Sequence, residues 1–299
     1  MAETCYRHPG RETGVSCSAC GRPICPECMT STPVGMRCPE CAKERTRVSV
    51  GVAGGSSDPV ATYALIAMSV LAYVAQTLGG SGGDKVLVDA GICANAISDT
   101  GGLCGLRGSG GSTVILSQGN EVWRVVTGAF LHGSPFHLLL NMVALYFLGS
   151  LLEPAIGRVR FLGIYLAGLM AGSFGALLLS NGPDITIGAS GAVFGLMAAA
   201  FVIARHRGVN ELAGQIGIFV VLNLVFTFSI PGISIGGHIG GLIGGGLAAI
   251  LISQVERRAQ GTTARVIEVG GVAVIVLASL AGALLAAGAS ADAPMALPL

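Results

Sequence analysis

Gly188-Ala189-Ser190-Gly191 sets a serine between glycines at the first turn of an apolar helix. Further along, a second apolar segment carries a histidine in Gly236-Gly237-His238-Ile239-Gly240-Gly241. A serine and a histidine are the minimum parts of a nucleophile–base pair. Polar side chains inside apolar spans are costly unless they are paired, wetted or used. These two strings therefore frame one choice, a catalytic dyad or small-residue helix packing, and the segments around them frame the fold.

With 52% hydrophobic and 11% charged residues and a mean hydropathy of +0.73, the composition excludes an ordinary soluble domain. A net charge of +1 says nothing about nucleic acid, and no basic cluster suggests it, so no nucleic-acid partner is expected. Seven candidate spans are near the length a bilayer core requires: Pro59–Leu78, Phe136–Leu152, Val159–Ser180, Ser190–Ala204, Leu212–Phe228, Ile233–Ser253 and Val266–Ala287. Asn181-Gly182-Pro183-Asp184 marks a turn ahead of the short fourth span. No cleavable signal peptide is expected, because the first 50 residues are polar and cysteine-rich. Arginines follow a two-loop period: Arg45 and Arg47, Arg158 and Arg160, Arg205 and Arg207, Arg257 and Arg258. The alternate loops 181–187 and 229–232 carry no Lys or Arg. The positive-inside rule then predicts a cytoplasmic N-terminus and an external C-terminus, with the long 79–122 loop outside.

The polar head holds Cys5-x2-His8, Cys17-x2-Cys20, Cys25-x2-Cys28 and Cys38-x2-Cys41, eight soft ligands and so enough for two tetrahedral zinc ions. A segment this small buries too little to fold without metal, and a cytoplasmic side disfavours disulfides. The ligand order resembles a B-box-type zinc finger. That resemblance implies a crossed pairing, Cys5, His8, Cys25 and Cys28 on one ion and Cys17, Cys20, Cys38 and Cys41 on the other. Many B-boxes close with a histidine pair where this chain has Cys38 and Cys41. Such heads are structural or bind partners, so a cytoplasmic protein partner is expected. Cys93 and Cys104 fall in the external loop, where a disulfide and two unpaired thiols are both allowed.

Scattered Ser and Thr set aside, the short list of candidate polar residues inside the spans is His137, Asn141, Ser190, Asn223 and His238. His137 and Asn141 are i and i+4, one above the other on a helix face. By the loop charges, His137, Asn141, Ser190 and His238 all lie in one shallow layer at the external face. Ser190 needs a base, and His238 is the suitable one. A helix starting at Ser190 offers unpaired N–H groups to an oxyanion, and His137 and Asn141 can add side-chain donors. No buried carboxylate completes a triad. Gly237, Gly241 and Gly245 form a bare stripe that lets a neighbour, expected to be the serine helix, come close. Glu153 reads as a structural partner of a loop donor or Arg, Asn223 as an interhelical hydrogen bond, and His206 as part of a solvated basic loop.

Taken in order, these residues resemble the rhomboid intramembrane serine proteases over about Pro59 to Ser253. The family's Gly-x-Ser-Gly stands as 188–191, its histidine followed by glycines as His238-Ile239-Gly240-Gly241, and its His-x3-Asn as His137 to Asn141. The Trp-Arg signature stands as Trp123-Arg124, and His132 falls at a second histidine position shared by many members. Phe194 stands where a tyrosine often stacks on the catalytic histidine. The resemblance implies Ser190 as nucleophile, His238 as general base, and His137 and Asn141 as oxyanion stabilisers. Trp123 and Arg124 read equally as an interfacial anchor or as a packed loop organiser.

The expected fold is an all-α polytopic membrane protein: a rhomboid-like bundle of six transmembrane helices plus a seventh C-terminal one, preceded by a small zinc-stabilised domain. The expected domains are a B-box-like head (1–47), a linker (48–58), the transmembrane domain (59–288) and an external tail (289–299). The expected function is serine endopeptidase cleavage of membrane-anchored substrates near the external face of the plasma membrane. The lipid bilayer and transmembrane proteins are the partners, zinc is confined to the head, and no cofactor serves the chemistry. Two rivals are a non-enzymatic rhomboid-like helix binder and a transporter. Against the transporter stand the expectation of no intramembrane carboxylates and the lack of an evident inverted repeat.

Overall fold

The computed structural model describes residues 3–32, 35–43, 58–78, 83–93, 102–108, 111–117, 119–179 and 185–291. The expected linker lies almost wholly outside them, as do the turn 181–184 and residues 292–299 of the expected tail. The chain divides into two compact units, Met1–Gly51 and Val52–Leu299.

The first unit is built from two short hairpins, β1 (Glu3–Cys5) with β2 (His8–Thr13) and β3 (Thr30–Thr32) with β4 (Gly35–Arg37), followed by α1 (Pro39–Lys43). Its interior is mostly sulfur: among the described residues Cys5, Cys17, Cys25, Cys28 and Cys38 are buried with Ile24, and Tyr6, Met29 and Cys41 pack partly buried against them. Such a core has too little apolar surface to hold the unit by burial alone.

Among the described residues of the second unit, six helices are long and apolar enough to cross a membrane: α2 (Val60–Leu78), α5 (Pro135–Ile156), α6 (Arg158–Leu178), α8 (Asn210–Ser229), α9 (Ile235–Arg258) and α10 (Gly261–Ala291). A shorter apolar helix, α7 (Ser190–His206), carries the serine. All seven expected spans are thus helices, and the last one continues to Ala291, into the expected tail. The 79–122 loop contributes α3 (Gly83–Ala90) and a hairpin of β5 (Gly102–Gly108) and β6 (Gly111–Ser117), and the short α4 (Arg124–Thr127) follows it. Cys93 is buried and disulfide-bonded, and the Cys104 side chain lies outside the described residues.

Helix α6 forms the centre, with 67% of its span buried, and α9 follows with 56%, while α8 and α10 have 17% each and face outward. Glycine puts α9 there. Gly236, Gly240 and Gly244 face α6, where a Cβ would fall 2.0 Å from Gly175 O, 2.1 Å from Ala171 O and 2.5 Å from Ala167 O. The neighbouring stripe faces α7, with a Gly241 Cβ 2.0 Å from Gly191 O and a Gly245 Cβ 2.4 Å from Gly195 Cα. The stripe expected from the sequence is therefore one of two, and α9 is wedged between a scaffold helix and the serine helix.

Helices α2 and α10 are tied in by buried carboxylates, Glu153 and Glu268. Glu153 of α5 is 3% exposed and accepts from the N–H groups of Ala61 and Thr62 at 2.9 and 2.8 Å, from the Thr62 hydroxyl at 2.8 Å and from Arg158 at 3.3 Å. It acts as a cap for α2 supplied from another helix, satisfying N–H groups left open at a helix start. Glu153→Ala removes this carboxylate and orphans those donors, and should lower stability by about 2–3 kcal/mol. Thermal unfolding in detergent would show the loss, with Glu153→Gln falling between it and the parent. Arg160 of α6 donates to both carboxylate oxygens of Glu268 on α10, at 2.7 and 2.8 Å, and to Glu256 on α9 at 2.6 Å. An arginine counted from the sequence as a topology signal is thereby also the anchor of the seventh span.

Candidate active site

Ser190 is half-buried and is the first residue of α7. Val193 N–H is the first in this helix to meet a helical carbonyl, that of Ala189 at 3.0 Å, so the N–H groups of Ser190, Gly191 and Ala192 have no intrahelical acceptor. The approach to the serine is pinned on both sides. Thr186 and Ile92 exchange backbone hydrogen bonds at 2.9 Å, and Gly188 N–H donates to Gly128 O at 2.8 Å. Gly188 has φ +118, a conformation glycine adopts without strain. A Cβ there would meet the His137 ring at 2.8 Å, so the imidazole rests directly on the backbone two residues before Ser190. A small cleft lined by Ile92, Thr186, Gly188, Ser190, Ser234 and Gly237 opens beside the serine.

His238 lies near the start of α9, which Ser234 caps by accepting from Gly237 N–H at 3.1 Å. The Phe194 ring stacks on the His238 imidazole with centroids 4.0 Å apart and planes 17° apart. Because Ser190 and Phe194 are i and i+4, they share one face of α7, and His238 lies over that face. The close approach of Gly191 to Gly237 and Gly241 brings the serine and histidine ends of the two helices together. Among the described residues no hydrogen bond joins Ser190 to His238; the histidine's Nδ1 instead lies 2.7 Å from the Thr227 hydroxyl on α8.

Asn141 is buried, and its Nδ2 donates to His137 O at 3.0 Å, leaving the second amide N–H for other use. His132 is fully buried, with its ring 5.0 Å from that of His137, and burial pushes its pKa down to about 4, so the ring is neutral. Its backbone exchanges hydrogen bonds with the Gln76 side chain of α2, at 3.0 and 3.3 Å. The Trp-Arg pair splits between its two readings. Trp123 is 51% exposed, whereas Arg124 is buried, binds Glu121 and donates to Gly91 O at 3.2 Å, so Arg124 organises the loop. Asn223 corrects the sequence reading: it is half-buried and its Nδ2 donates to Phe219 O of its own helix rather than across to a neighbour. His206 closes α7 among the arginines.

Thr227 and Gln76 escaped the sequence reading. Thr227 is one of the scattered hydroxyls that polarity alone does not single out, whereas depth counting along span five puts it in the layer of His238. Gln76 was the one buried amide of span one, and its polarity alone was the available signal.

In the first unit, Cys5, His8, Cys25 and Cys28 form one group of ligand atoms and Cys17, Cys20, Cys38 and Cys41 a second, each able to hold a metal ion. A tetrahedral zinc with ordinary bond lengths sets S···N edges near 3.6 Å and S···S edges near 3.8 Å. Cys25 and Cys28 Sγ lie 3.4 and 3.5 Å from His8 Nδ1, Cys5 Sγ lies 3.9 Å from it, and Cys20 and Cys38 Sγ are 3.9 Å apart. The grouping is the crossed one. The Cys38 N–H, donating to Cys17 Sγ at 3.3 Å, holds the Cys17 pKa down at about 6 and so favours the thiolate a metal binds.

A family model for the rhomboid domain matches residues 119–255. The rhomboid protease GluP of Bacillus subtilis is 33% identical over 211 residues, covering 69% of this chain and 38% of GluP. YdcA of the same organism is 32% identical over 143 residues, which cover 46% of this chain and 71% of YdcA. The Arabidopsis thaliana protein named inactive RHOMBOID-like protein 8 is 34% identical over 134 residues, 43% of this chain and 37% of that protein. This chain thus spans less than two-fifths of the length of two of these relatives. A helical bundle of this make-up, matched by the domain model across α5 to α9 and by most of the length of YdcA, belongs to the rhomboid family.

Proposed function

We propose that this chain is an intramembrane serine endopeptidase that cleaves membrane-anchored substrates near the external face. The observation that carries the reading is the stack of Phe194 on His238, one helical turn from Ser190 on the same face of α7. Ser190 Oγ attacks the scissile carbonyl carbon while His238 Nε2 takes its proton. The oxyanion is held by N–H groups at the start of α7, with His137 and Asn141 as side-chain donors. Collapse of this adduct breaks the C–N bond, and His238 returns the proton to the leaving amine. Water, deprotonated by His238, then hydrolyses the acyl-enzyme and restores the Ser190 hydroxyl.

The names borne by GluP and the other rhomboid proteases support the activity. The loop charges support a cytoplasmic N-terminus and external cleavage, and the plasma membrane is the location proposed. The test reconstitutes the full chain in liposomes with a fluorescently labelled single-span peptide, and in parallel exposes it to a fluorophosphonate. Ser190-dependent cleavage and an adduct on Ser190 are expected. Cleavage that persists in Ser190→Ala would sink the dyad; a folded parent inert in both assays would favour the helix-binding alternative.

For the head, residues 1–47, the same reading assigns a B-box-like fold on two structural zinc ions, held by the two four-residue groups, offering a surface to a cytoplasmic protein. When bound, the zinc replaces the missing apolar core. Two equivalents of zinc per chain are expected by elemental analysis. Chelation should unfold this unit, since structural zinc contributes about 10–16 kcal/mol in small fingers. Loss of its near-ultraviolet dichroism, with peptide cleavage in detergent preserved, is the outcome expected.

A further inference from the structure

We infer that Thr227 is the positioning residue of His238, holding its ring in the Nδ1–H tautomer that leaves Nε2 free to act as base; this rests on the dyad proposed above. The Thr227 hydroxyl makes two short contacts, 2.7 Å to His238 Nδ1 and 2.8 Å to Asn223 O one turn back on α8. A carbonyl oxygen only accepts, so the single hydroxyl proton goes to Asn223 O. The lone pair that remains faces Nδ1, and the contact is a hydrogen bond only when Nδ1 carries the proton. The other tautomer would leave one of the two short contacts as lone pair against lone pair. Both side chains are buried, Thr227 at 2% and His238 at 8% exposed, so water does not compete freely for either group.

The arrangement does with a hydroxyl what a carboxylate does in a triad: it selects one tautomer and one ring orientation. Phe194 fixes the plane of the ring by stacking, and Thr227 fixes its rotation within that plane and its proton. A neutral acceptor suits a site where no carboxylate faces the ring among the described residues. It stabilises the imidazolium less than an anion would, so its contribution is orientation.

The experiment uses the full chain in detergent, labelled with 15N-histidine. Five histidines keep the two-bond 1H–15N spectrum tractable, and His238→Gln assigns the signal. The parent should show His238 as Nδ1–H. Thr227→Val keeps the branched shape and removes the hydroxyl; it should give a tautomer mixture and lower the rate of fluorophosphonate labelling at Ser190 about tenfold, the worth of one hydrogen bond. Thr227→Ser should restore both readings. An unchanged tautomer with an unchanged labelling rate in Thr227→Val would overturn the assignment. So would a Thr227→Ser chain as slow as Thr227→Val, which would mark a packing role. The tautomer is read without catalysis: if the parent fails to label while its His238 still depends on Thr227, the dyad falls and the positioning role stands.

Discussion

Replacing Ser190 by alanine is expected to lower peptide cleavage by roughly four to six orders of magnitude, with the fold intact. The hydroxyl is the only atom lost, and the residue is half-buried at a helix start where alanine is well tolerated, so unfolding temperature should hardly change. His238→Ala should cost a comparable factor, because without a base the serine remains an alcohol of ordinary reactivity. The double variant should be no worse than either single one, since the two groups act as a unit. Additive losses would mean that the two residues serve separate steps. The residual rate reports what the N–H groups at the start of α7 contribute alone.

Gly241→Ala should combine loss of stability with loss of activity. A Cβ at this position falls 2.0 Å from Gly191 O and 2.7 Å from Gly191 C, both backbone atoms. No flexible side chain is available to swing aside, so α9 and α7 must separate. Overpacking of this kind costs about 3 kcal/mol or more, on the order of a 10 °C fall in unfolding temperature. Because Gly191 adjoins Ser190, the separation also pulls the nucleophile from the base, and about an ångström of misplacement costs on the order of a hundredfold in rate. Gly270→Ala on α10 is the matched control. Nothing lies within 4 Å of its added Cβ, so helix propensity alone acts, and a gain of about 0.5–1 kcal/mol is expected. Equal effects at the two positions would remove close packing as the reason for the glycine stripes.

Span positions, ligand spacing and the candidate dyad were legible because each depends on local or short-range properties. Apolar length marks a helix in lipid wherever it packs, as Val60–Leu78 and Ile235–Arg258 illustrate. Cys-x2-Cys pairs declare their chemistry within four residues. Ser190 and His238 stood out because polarity inside an apolar segment is rare and expensive. Arg124 was harder. Its burial against Glu121 and the Gly91 carbonyl depends on a chain section far from it in sequence, so exposure and packing could not be told apart beforehand. Asn223 and Thr227 show the same limit from both sides. They are one turn apart on one face of α8, yet the amide bonds to its own helix while the hydroxyl reaches His238.

By itself the sequence determined the seven helical spans, the soft-ligand head and the four polar residues of one shallow layer, all readable from periodicity, spacing and the cost of burying polar groups. Only the tertiary structure decided which helices touch: that α9 runs between α6 and α7 on two glycine stripes, that Phe194 covers His238, and that a threonine holds its Nδ1. The reason is physical. Composition sets what each helix can bury, but the neighbour it buries against is chosen by complementary surfaces that meet only when the whole bundle closes.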